Sequence, residues 1–276
     1  MSPHRSARLV GRIVATLAAA LAAGLVAFPL GAQTPTLPDA RTLVARHDSL
    51  VGGRAALEVH QSMRLLGTFT IAAAGIDAPL EMLKRRPNQY IFRAAIPQLG
   101  EITQGFDGQT AWSMQPGQGA RILTGAAAAR MAESADFFGD LHDLTKFVSV
   151  ETVEETDFFG VRVYKVRFTR ETGEVVHEYF SVASGLSAGS SVEMGTAVGR
   201  QESITVLAEY REFEGVRIAS RIVQRQPEYE SVIRIVMVEF DRLTAAALAP
   251  PEEVQALLNR AIVPASDSTS PRPLFR

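Results

Sequence analysis

Residues 185–189, GLSAG, spell the G-x-S-x-G pattern in which a nucleophilic serine sits on a turn between a strand and a helix. For that chemistry Ser187 needs a helix immediately after it, then an acid and a histidine further along the chain. The next residues, SSVEMGTAVGRQESITV, read as strand, and no histidine lies beyond His177. Ser187 therefore reads as a turn residue. The stretch GDLHDL gathers Asp140, His142 and Asp143, the residue types of a metal site. Asp140 and His142 are two apart, and His47, His60 and His177 lie in unrelated segments, so His142 reads as an exposed helix or loop histidine. The acidic pairs Glu154–Glu155 and Glu252–Glu253 read as a solvated edge and a helix start. With no assembled acid–base pair, the expectation is a protein without catalysis, cofactor or metal.

The glycine-rich stretch 105–125, GFDGQTAWSMQPGQGARILTG, lacks the Gly-Lys-Ser/Thr or G-x-G-x-x-G spacing of a phosphate loop. It resembles instead the turns DFFGVR (157–162) and EFEGVR (212–217), each set between alternating segments, where glycine supplies the positive φ of a tight hairpin. Trp112, the only tryptophan, comes just after this turn and is placed to stack a ligand or to fill a core.

The elements around these residues follow from periodicity. LPDARTLVARHDSLVGG reads as a helix capped by Asp39 and ended by Gly52 and Gly53, with Leu43, Val44, His47, Leu50 and Val51 as its apolar stripe. From about residue 62 the period changes to two, giving nine to eleven strands in an antiparallel meander without βαβ rhythm. The alanine-rich segment 123–147 interrupts them and reads as helical, and PPEEVQALLNRAI starts a short helix after the last strand.

Residues 1–32 carry three arginines, an apolar run over 13–28 and Ala32 before the expected cut, the pattern of a cleaved secretory signal peptide. Residues 33–262 then form one domain and 263–276 a disordered tail. The chain has no cysteine, so it bears no disulfide, no thiolate metal site and no lipidated cysteine of its own. Beyond residue 32 there are 25 Lys and Arg against 30 Asp and Glu, with no basic tract, which argues against a nucleic-acid partner.

A long sheet with one apolar face must cover that face, and with few helices at hand a strongly curled sheet would leave a concave apolar cavity. APLEMLKRRPNQYIFRAAIPQLGEITQGFDGQTAW, with ADFFGDLH, GVRVYKVRF and EYREFEGVRIASRI, resembles the outer membrane lipoprotein-sorting family, relatives of the carrier LolA, over most of residues 40–245. The resemblance implies a mainly β, α+β fold: a curled antiparallel sheet forming a half-barrel around an apolar cavity, with a helical lid. It also implies a monomeric periplasmic carrier that binds lipoprotein acyl chains or free lipid without catalysis, with inner- and outer-membrane transfer proteins as partners. The family's functional arginine falls on Arg64, Arg85, Arg86 or Arg93, and spacing does not choose among them.

The cavity residues expected from strand parity are Met63, Leu65, Phe69, Ile71, Leu80, Met82, Tyr90, Phe92, Tyr164, Val166 and Phe168, with Trp112 added. Phe137, Phe138 and Leu141 are the lid candidates. The alternative is a lipid-sensing interaction module of the same fold. A small outer-membrane barrel is disfavoured by one Trp, five Tyr and a helix after the last strand.

Overall fold

The structure, a computed structural model, describes residues 36–196, 199–227 and 229–262, so the expected signal peptide and tail lie outside the described residues. Asp39 accepts a hydrogen bond from the Thr42 amide and caps α1 (Ala40–Leu50), which buries Ala40, Leu43, Val44 and His47. Gly52, at φ 110°, turns the chain into a short second helix, α2 (Gly53–Glu58).

Six strands come next: β1 (Ser62–Ile71), β2 (Ile76–Arg85), β3 (Gln89–Ile96), β4 (Gly100–Phe106), β5 (Ala111–Gln115) and β6 (Gly119–Ile122). Then come α3 (Gly125–Ala135) and a segment leading to β7 (Ser149–Phe158), β8 (Val161–Thr169), β9 (Val175–Ser181) and β10 (Ser187–Thr196). The last strands, β11 (Gly199–Phe213), β12 (Val216–Arg225) and β13 (Glu230–Phe240), precede α4 (Glu252–Ile262).

All thirteen strands form one antiparallel sheet in the order β6-β5-β4-β3-β2-β1-β13-β12-β11-β10-β9-β8-β7. The sheet is open: β6 and β7 are its edges and do not pair with each other. It is neither closed into a barrel nor curled into a half-barrel, which corrects the architecture expected from the sequence. Cover comes from chain segments on both faces. On the front face α2, α3 and residues 136–141 lie against an apolar layer. On the back face Leu248 and Val254, in and before α4, pack against Leu83, Ile91 and Trp112.

Two hairpins have the expected turn. Phe159–Gly160 and Glu214–Gly215 both have positive φ at each residue, the two-residue loop whose twist matches the strands it joins. The third, 107–110, is built differently: Asp107 Oδ1 accepts from the amides of Gln109 and Thr110. The helix expected over 123–147 is shorter. It ends at Ala135, where Asp136 folds back to accept from Phe138 N and Gly139 N, leaving only a 3₁₀ turn at Leu144–Lys146.

Gly105 pairs with Trp112, and a Cβ on it would lie 2.6 Å from the indole and 2.6 Å from the Tyr90 carbonyl oxygen. Gly105→Ala is therefore expected to cost about 1–3 kcal/mol. A thermal melt followed by Trp112 fluorescence would show a lower midpoint and a redder native emission.

Candidate functional site

Directly paired residues of an antiparallel ladder share a face, so the register traces the front face across the sheet. Leu65 pairs with Met82 and Met82 with Phe92. Phe69 pairs with Ile233, Ile233 with Ile222 and Ile222 with Leu207. Two residues along β11, Thr205 pairs with Ser190, Ser190 with Glu178 and Glu178 with Val166. One face thus runs from the β1–β3 residues to β8.

The expected cavity residues divide along this face. Met63, Leu65, Leu80, Tyr90 and Phe92 are buried in a layer with Phe137, while Phe69, Met82, Phe138 and Leu141 pack against it half-buried. Val166, Phe168 and Tyr164 form a second group beneath α1 with Leu43, Val44 and Phe180. Ile71 is half-buried at the end of β1. Trp112 is the exception: it is buried on the back face with Leu83 and Ile91 and does not join the others.

The lid candidates lie on the segment between α3 and β7. Phe137 is buried and its amide donates to the Pro87 carbonyl. Phe138 stands between two guanidinium groups, Arg54 at 4.7 Å and Arg86 at 5.1 Å from its ring centre. Among the four arginines singled out by sequence, it is Arg86 that lies over this ring. Arg64 and Arg93 share Glu81, and Arg85 and Arg93 donate to the carbonyls of Leu243 and Ala247.

A group that sequence reasoning did not assemble lies between the two apolar clusters. His142 is not exposed: its side chain is 14% accessible. Its Nδ1 is 2.7 Å from Asp48 Oδ1 on α1 and its Nε2 is 2.7 Å from Glu178 Oε2 on β9. The ring stacks on Phe168 and meets His47 and Phe180 at its edges. Burial by itself would lower the His142 pKa, but the charge of Glu178 and the hydrogen bonds to both carboxylates prevail and push it up to about 10. Both nitrogens therefore donate, and the ring is an imidazolium.

His47 behaves oppositely. Burial lowers its pKa, and its Nδ1 accepts the Ser187 amide proton, so Nε2 carries the proton of the neutral ring. Burial raises Glu178 while the His142 charge and hydrogen bond lower it, and the net direction is down.

His47, Asp48 and His142 bring donor atoms within 4.8 Å of one another, a spacing compatible with a metal ion. The hydrogen bonding favours a proton there instead. Two ligands of one tetrahedral zinc stand about 3.3 Å apart, from bond lengths near 2.0–2.1 Å. The His142–carboxylate separations are 2.7 Å, and the His47 lone pair is taken by the Ser187 amide.

Ser187 does not stand on an exposed strand-to-helix turn but opens β10. It is 2% exposed, its hydroxyl lies against the backbone of Gly189 and hydrogen-bonds Glu178, and it is the amide that meets His47. An open groove of about 910 Å³ on the back of β8–β11 is lined by charges, among them Lys165, Arg167, His177, Glu193 and Glu202, unlike the apolar front layer. The sequence did carry signals. Glu178 interrupts the apolar register Val176, Glu178, Phe180, and His47 sits in the apolar stripe of α1.

No protein-family model matches the chain, and no curated protein matches it. Among solved structures, a DUF1329 family protein from Desulfovibrio piger is similar at 12% identity and a TM-score of 0.52, covering 75% of this chain and 97% of that one. A LolA superfamily protein from Nitrosomonas europaea is similar at 9% identity and a TM-score of 0.50, covering 78% of this chain and 99% of that one. The likeness is one of fold: the chain has the large antiparallel sheet with few helices found in these proteins.

The proton on His142 has a direct consequence for stability. A pKa raised from 6.5 to about 10 gives stabilisation that is complete below about pH 6.5 and lost as pH rises toward 10. Urea midpoints are expected to fall over that range. His142→Ala is expected to cost roughly 2–4 kcal/mol at pH 7, because two half-buried carboxylates lose their counter-charge, and to flatten the alkaline decline.

Proposed function

We propose that the protein is an exported, non-enzymatic carrier that binds the acyl chains of lipids or lipoproteins against the front face of its sheet and moves them through the periplasm. The observation that carries this reading is the incomplete cover of the apolar layer. Phe69, Met82 and Ile222 on the strands and Phe138 and Leu141 above them are only partly buried. An acyl chain laid between strand and covering segment would complete that burial. Each methylene is worth about 0.8 kcal/mol, so ten offset roughly 8 kcal/mol of the cost of leaving a bilayer. No polar reacting group is required.

The leader-like residues 1–32 support export, and the likeness in fold to a LolA superfamily protein supports lipid handling.

Native mass spectrometry of residues 33–276, purified from the periplasm without detergent, tests the reading. Bound phospholipid, fatty acid or acylated peptide near one-to-one is expected. A clean mass with no uptake of added lipid would sink it. Phe69→Glu, at a half-buried position, is expected to weaken acyl-probe binding at least about tenfold with little change in melting temperature. Val236→Thr, on an exposed strand residue, is expected to leave binding unchanged.

A further inference from the structure

We propose that residues 136–143 form a strap across the front layer, held shut by the proton on His142, so that loss of this proton frees the strap and opens the layer to an acyl chain. The second half of this inference rests on the carrier reading; the first does not.

The strap has little hydrogen-bonded structure of its own to hold it. Between the end of α3 at Ala135 and the 3₁₀ turn at Leu144 its backbone makes local turn bonds, Gly139 N to Asp136 O and Leu141 N to Phe138 O, and reaches outside itself through the Phe137 amide to Pro87 O and the His142 amide to Asp48. It is anchored at each end, with Phe138 against Arg54 and Arg86 in between. At the α3 end Phe137 is buried, and Lys84 Nζ donates to the Asp136 carbonyl. At the β7 end His142 reaches both α1, through Asp48, and the sheet, through Glu178. Phe138 and Leu141, half-buried, lie between these anchors. Releasing His142 would detach the strap from α1 and β9 together while leaving Phe137 as a hinge anchor.

The charges facing His142 make the fastening depend on its proton. Asp48 and neutral His47 come from α1, Glu178 from β9, Asp140 from the strap itself, and Tyr210 of β11 senses both Glu178 and Asp140. Arg54 and Lys146 lie next along, beside Asp143, but the two carboxylates that bond His142 would lose the charge between them and repel across the ring. One half-reaction suffices: strap opening exposes His142, whose pKa then returns from about 10 toward 6.5, and one proton leaves to solvent. The opening constant should therefore rise by up to about tenfold per pH unit across that interval.

Hydrogen–deuterium exchange of the purified protein at pH 6.5, 8 and 9.5, corrected for intrinsic exchange, reads the opening directly. In the wild type the opening constant over 136–143 is expected to rise steeply with pH, while the strands beneath stay protected. In His142→Gln it is expected to be high and nearly flat. Glu178→Gln, which keeps the side-chain shape and removes one ion pair, gives an intermediate opening and serves if His142→Gln does not fold. Equal protection in wild type and variants, or a strap that opens only with the whole sheet, overturns the strap. In parallel, the uptake rate of cis-parinaric acid is expected to be faster at pH 9.5 than at 6.5 in the wild type and fast at both in His142→Gln. A probe that never binds overturns the carrier reading and the gating role with it, while exchange still decides the strap.

Discussion

Everything in this molecule depends on how the apolar face of one long antiparallel sheet is covered. The two-residue period of a strand sends apolar side chains to one side, and thirteen strands accumulate a surface far broader than any helix among the described residues. The sheet stays open, so its own curvature does not close that surface. Two short helices and a segment of irregular chain lie over part of it, with α1 over another part. The layer is consequently well buried near Leu80 and Phe92 and only half-buried near Phe69 and Ile222. That gradient is where a ligand would gain most.

The covering segment combines the buried Phe137 with a charged contact at His142. Glu178 stands in the same row as Val166, where an ionised carboxylate would be costly unless paired. His142 supplies the pair from above and Asp48 supplies the second acceptor. Two histidines 5.5 Å apart take opposite protonation states for separate reasons. One faces carboxylates on both nitrogens. The other faces a backbone amide in a dry stripe of α1. The arrangement concentrates dependence on a single proton at the point where helix, strap and sheet meet.

Much of the local structure was legible. The helix cap at Asp39, the alternating strands and the positive-φ hairpins at Gly160 and Gly215 follow from neighbours within a few residues. Expectations that reached further met structure that no local pattern describes. The segment 123–147 has a helical composition, but Asp136 and Gly139 offer the backbone a turn that competes with the helix, and Phe137 is drawn into the sheet layer. Trp112 has a definite parity within β5, yet which face that parity meant depended on its pairing with Gly105 across the β4–β5 turn.

By itself, the sequence determined what sequence-local physics controls: a meander of alternating strands, its tight turns, the cap of α1 and the apolar identity of one face. The tertiary structure alone decided three things. It left the sheet open, since closure depends on strand stagger and on what covers each face rather than on any strand's own pattern. It put Trp112 behind the sheet. It also brought His142 to Asp48 and Glu178, 94 and 36 residues away, turning a histidine that looked solvent-facing into a half-buried imidazolium. Long-range electrostatic pairs of this kind leave no period in a sequence, because their geometry exists only after the strands between them have been placed.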